Sequence, residues 1–182
     1  MGKRGIAITV ICFLACMGGM SCPARAQAQS ESVALLVQQY EAYQSAFEAI
    51  KSLGDVEAAG YDIIEEQRFP VVLETFGEAQ VELVPLMHRE YHRLAILIVD
   101  SAGNVLFKTN QLETNYKYPG QLEQPTRSLE SVSFQELDHD GLTDIVLITI
   151  CDNDSGDYAG RSYRGGDVLF QRDGDFYRDW RI

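Results

Sequence analysis

The apolar residues of this chain change period at Gly60. Before it, Val33, Leu36, Val37, Tyr40, Tyr43, Phe47, Ile50 and Leu53 recur at steps of three and four. That spacing lays one stripe along a helix. Ser30 or Ser32 can cap its start, and Gly54 ends it. After Gly60 the chain breaks into short apolar runs separated by turn residues. Residues 80–84, 93–99, 105–109, 129–134, 144–151, 167–171 and 175–180 read as strands. Asp100 to Asn104 forms a turn between two of them, and Asp173-Gly174 is a two-residue hairpin signal. The run at 144–151 (DIVLITIC) is the most apolar and reads as a central strand.

One helix followed by consecutive hairpins predicts an α+β fold, with the N-terminal amphipathic helix packed on a mainly antiparallel sheet. The sequence has no βαβ alternation and no GxGxxG, so nothing in it supports a dinucleotide-binding domain. The segments 110–127 and 152–166 are polar or glycine-rich and read as long loops.

A length of 182 residues is that of one domain preceded by a short leader. Lys3 and Arg4 precede a twelve-residue apolar run at 6–17, and the patterns Ala24-Arg25-Ala26 and Ala26-Gln27-Ala28 follow it. This is the layout of a secretory signal peptide over residues 1–28, too short in its apolar run for a membrane span. Residues 29–182 then form a single domain, and the address is secreted or cell-envelope. Cys16 and Cys22 keep a lipid anchor open as the competing reading. Removal of the leader takes away three of the four cysteines and leaves Cys151 alone, which reads as a small buried hydrophobe.

The formal net charge is −12, and loss of Lys3, Arg4 and Arg25 makes it more negative. Such a chain does not bind nucleic acid by neutralising phosphates. Attraction to anionic lipid headgroups is disfavoured for the same reason.

One motif carries chemistry. Glu136-Leu-Asp138-His-Asp140-Gly141-Leu142-Thr-Asp144 sets oxygen-bearing side chains at positions one, three, five and nine, with glycine at six. Alternate acids in a tight loop can point inward together, and glycine permits the bend that lets the Leu142 carbonyl join them. Hard cations such as calcium take six to eight oxygens, so the spacing predicts a Ca2+ site formed by Glu136, Asp138, Asp140, Leu142 and Asp144. An EF-hand needs a glutamate at position twelve, which here is Leu147. The loop instead resembles the D-x-D-x-D-G-x-x-D loop of the FG-GAP and VCBS repeat families, in which the last acid leads straight into an apolar strand. The resemblance spans about residues 131–150, in a single copy, and Glu136 stands where those families usually have aspartate. The stretch from Gly60 to Trp180 also looks like small secreted bacterial proteins of uncharacterised activity that carry one such loop.

Other groupings are sparser. His88 and His92 lie four apart, a zinc spacing on a helix. They sit between Pro85 and a strand, however, and read as turn histidines. Asp152, Asp154 and Asp157 offer a second acidic group, and Tyr158, Tyr163 and Tyr177 offer rings for a sugar or peptide surface. No nucleophile elbow is present in the sequence. The expectation is therefore an exported, non-enzymatic, calcium-stabilised module that binds a protein or glycan partner. A secreted hydrolase acting on envelope polymers through carboxylates near Asp140 or Asp154 is the alternative, and a lipid-anchored subunit of an envelope assembly is a third reading.

Overall fold

A computed structural model describes residues 23–77, 79–115, 126–152, 159–172 and 174–178. The chain divides into two units, Met1–Val37 and Gln38–Ile182. Within the first, the described residues are helical. They open α1, which runs Pro23–Ala49. Among the described residues no helix is long and apolar enough to cross a membrane.

Among its described residues the second unit carries nine strands. β1 (Tyr61–Ile63), β2 (Phe69–Val72), β3 (Gln80–His88), β4 (Leu94–Val99) and β5 (Val105–Thr109) form one antiparallel sheet. β6 (Thr126–Gln135), β7 (Asp144–Asp152), β8 (Ser162–Arg172) and β9 (Asp175–Tyr177) form another, in that order. This corrects the α+β expectation. Among the described residues strand outweighs helix, and it is shared between two antiparallel sheets rather than one. The reason lies in the packing. Leu83, Leu94, Ile96 and Ile98 of the first sheet share one core with Leu129, Ile145, Leu147 and Leu169 of the second. Sheet-to-sheet burial thus provides the larger core, and each fully buried Leu or Ile contributes about 1.5–3 kcal/mol.

The last turns of α1 cover a smaller core on the first sheet. Tyr43, Phe47 and Ile50 pack there with Val84, Leu86, Ala95, Leu97 and Val99. β4 is therefore buried on both faces. Its even residues meet the second sheet and its odd residues meet the helix, which explains an unbroken apolar run. The helix end is fixed by a side chain from β5. Lys108 Nζ donates to the carbonyl oxygens of Phe47, Glu48 and Ile50 at 3.0, 2.7 and 3.2 Å, neutralising the negative end of the helix dipole.

Local chemistry sets the strand boundaries. Pro85, which has no N–H, lies in β3 between the stretch paired with β2 (Gln80–Leu83) and the stretch paired with β1 (Leu86–His88). The turn after β4 is closed by Asp100, whose Oδ1 accepts the N–H groups of Ala102 and Asn104. Arg172 pairs with Asp175 around the turn at Gly174, whose φ is +83°. β6 carries two register shifts, one between Thr126 and Ser128 and one between Leu129 and Ser131.

Candidate metal centre

The hairpin between β6 and β7 closes on the pair Gln135–Asp144. The loop it encloses takes its shape from two left-handed residues, His139 at φ +65° and Gly141 at φ +85°. The glycine adopts that conformation without strain, and the histidine adopts it at a cost. Leu142 N–H then donates to Asp140 Oδ1 at 2.8 Å, an Asx-type turn. With the backbone so bent, Glu136, Asp138 and Asp140 bring carboxylate oxygens within 4.8 Å of one another. All three residues are exposed. His139 Nδ1 lies 3.6 Å from Glu136 Oε2, and the Tyr177 hydroxyl reaches Asp138 Oδ2 at 3.4 Å.

Asp144 is placed differently. It is fully buried. One carboxylate oxygen accepts Leu137 N–H at 2.9 Å and the other accepts Gln171 N–H at 3.1 Å. Burial pushes its pKa up, the two hydrogen bonds pull it down, and the charges of Asp138 and Asp140 push it up further, with a net rise. Asp144 therefore pins the loop's start to β8, while the three exposed acids converge on the outer side. Leu142 enters the geometry through the N–H that it gives Asp140.

A clamp from the first sheet holds the end of the loop, and no local motif announces it. Glu74, in the turn after β2, accepts Thr143 N–H and Oγ1–H, each at 3.1 Å. Glu74 also accepts Gln171 Nε2–H at 2.8 Å, and the same amide donates to the Thr143 carbonyl. Gln171 Oε1 accepts Thr75 N–H at 2.9 Å. Burial opposes ionisation of Glu74, yet hydrogen bonds from its own backbone, Gln171 and Thr143 outweigh burial and hold its pKa below the usual value. Glu74 and Gln171 lie far from the loop in sequence, so only the fold brings them there.

The donor set suits a hard cation: three carboxylates in a loop of fixed backbone, with open sides for water. The second acidic grouping is not assembled in the same way. Asp152 accepts Arg127 Nε–H at 3.0 Å and the Ser162 hydroxyl at 2.8 Å. Asp154 and Asp157 fall outside the described residues, as do Tyr158 and most of the expected leader. Tyr163 is exposed, and Tyr177 stacks on Phe170 with centroids 5.5 Å apart. Cys151 is a buried free thiol, 3.5 Å from Thr149 Oγ1. His88 and His92 lie at the end of β3 and in the turn after it, not on a helix. No protein family, no curated protein and no solved structure matches this chain.

Proposed function

We propose that this chain is an exported binding module whose 136–144 loop takes up calcium and is stiffened by it. The observation that carries the reading is the convergence of the Glu136, Asp138 and Asp140 carboxylates on a backbone already bent at His139 and Gly141. Three like charges this close repel one another, and a divalent ion between them relieves that repulsion. The ion then acts on folding, because the unfolded chain does not hold the three acids together. Extracellular calcium is often millimolar, so even a weak site fills there and serves as a staple rather than a sensor.

The test is thermal unfolding in calcium chloride and in chelator, for the parent and an Asp138→Asn, Asp140→Asn double variant. A ligand that binds only the folded state adds about 2.7 kcal/mol at a hundredfold excess over its Kd. The expected result is a higher midpoint with calcium in the parent and no shift in the variant. Equal midpoints for the parent with calcium and with chelator would sink the reading.

A further inference from the structure

We propose that His88 is an acid-sensitive latch that holds the last turns of α1 on the first sheet. His88 ends β3 and is 7% exposed. Its Nδ1 accepts two backbone N–H groups, from Glu90 and Tyr91, each at 3.2 Å. The ring is therefore neutral with its proton on Nε2, and the lone pair on Nδ1 organises the turn that follows.

The ring is held on its other sides by aromatic groups from three elements. It stacks on Tyr91 at 4.7 Å between centroids. It meets Tyr43 of α1 edge-on at 5.2 Å and Tyr61 of β1 at 4.9 Å. The Gly60 backbone closes the remaining space, since a Cβ there would come within 3.0 Å of His88 Nε2. Tyr43 is the link to the helix, because it lies in the same core as Phe47 and Ile50.

Charges around the ring weigh against a proton. Arg93 from the start of β4 is 2% exposed and places its guanidinium 5.6 Å from the Tyr43 ring centre. Arg89 is drawn onto Asp62 and the Tyr61 carbonyl, at 2.7 and 3.1 Å. His92 follows in the turn, and the acidic side chain there, Glu90, belongs to an exposed residue. Burial lowers the His88 pKa most. Glu90 raises it, while Arg89, Arg93 and His92 lower it further.

Protonation turns Nδ1 from an acceptor into a donor that faces two N–H donors. Both turn bonds are lost, and a second positive charge joins Arg93 beside Tyr43. The ring must leave the cage to be solvated, and the contact under Tyr43 goes with it. The docked helix end therefore excludes a proton that the undocked form accepts. Below the ordinary imidazole value of about 6.5, docking weakens by up to tenfold for each unit of pH.

The experiment is amide hydrogen exchange of the full chain between pH 7.5 and 4.5, corrected for intrinsic rates. The expected result is an opening constant for residues 40–50 that rises by up to tenfold per pH unit as pH falls, while amides of β7 do not follow. His88→Phe keeps a ring in the cage without a titrating nitrogen and flattens that rise. His88→Gln, a neutral side chain with an acceptor, does the same and serves if the phenylalanine does not fold. An opening constant independent of pH in the parent overturns the proposal, as does an equal rise in either folded variant. If neither variant folds, the parent decides: a His88 imidazole that titrates by NMR at its ordinary value overturns the latch, and one that titrates well below it, together with the helix opening, supports it.

Discussion

Asp144, the first residue of β7, accepts the backbone N–H of Gln171 in β8 at 3.1 Å from a fully buried carboxylate. The same carboxylate accepts Leu137 N–H, so one side chain joins the loop, β7 and β8. Asp144→Ala leaves both N–H groups without that acceptor and is expected to cost about 2–3 kcal/mol. Asp144→Asn keeps one acceptor oxygen and costs about 1 kcal/mol. Urea unfolding of the two variants checks the order. Its pH dependence checks the sign. Because the folded pKa is raised, the folded state holds the proton longer, and stability falls as pH rises from the unfolded value, about 3.9, through the folded one. Asp144→Asn removes that slope.

The charges of Asp138 and Asp140 push the Asp144 pKa up, so whatever neutralises them lowers it. Calcium at the loop is expected to shift Asp144 towards the ordinary carboxylate value, and Asp138→Asn with Asp140→Asn is expected to do so without calcium. Carboxyl-carbon NMR titration reads both shifts. A titration indifferent to calcium in the parent but responsive to the substitutions would mean that the charges couple while the ion does not bind.

Two glycines separate backbone strain from crowding. A Cβ at Gly141 meets nothing within 4 Å, but its φ is +85°. Gly141→Ala is therefore expected to cost about 1 kcal/mol, through conformation alone, and to weaken any calcium-dependent rise in the unfolding midpoint. At Gly165 no φ penalty applies. There a Cβ would come within 3.0 Å of Thr114 Cγ2 and 3.2 Å of Thr149 Oγ1. Gly165→Ala is expected to cost about 1–3 kcal/mol by overpacking, with any calcium response unchanged. Denaturation midpoints with and without calcium distinguish the two.

Asn115 is fully buried and holds the start of β4 as a neighbouring strand would. Its Oδ1 accepts Leu94 N–H at 3.0 Å, and its Nδ2 donates to the carbonyls of Leu94 and Asn110, each at 2.7 Å. Asn115→Ala is expected to cost about 2–4 kcal/mol, since buried partners on β4 are stranded. A lower urea midpoint with an unchanged m-value would show that the loss is local to stability and not to compactness.

Strands with strong local patterns were legible in the sequence. β5 runs Val105–Thr109 as expected, and β4 and β7 differ from expectation by one residue at one end. The grouping of Glu136, Asp138 and Asp140 was legible too, because one alternating loop carries all three. The division into two sheets was not. Nothing local to β5 or β6 tells that Leu83 and Ile96 will face Leu147 and Leu169. An acid that opens an apolar strand suits a cation and a pair of backbone N–H groups equally, so the hydrogen bonds of Asp144 could not be read from its position. The cage around His88 was hidden for another reason. Its rings come from Tyr43, Tyr61 and Tyr91, which no motif relates.

A strand with one wet face carries its own alignment marks, since slipping by one residue would put apolar groups in water. β4 lacks such marks. With all six residues buried, a one-residue slip would exchange apolar residues between its two interiors and bring none of the six into water. The addressing must come from polar groups at the strand's ends: Asn115, gripping both backbone groups of Leu94, and Asp100, closing the turn beyond Val99. A strand buried along its whole length thus owes its position to two of the most hydrophilic kinds of side chain.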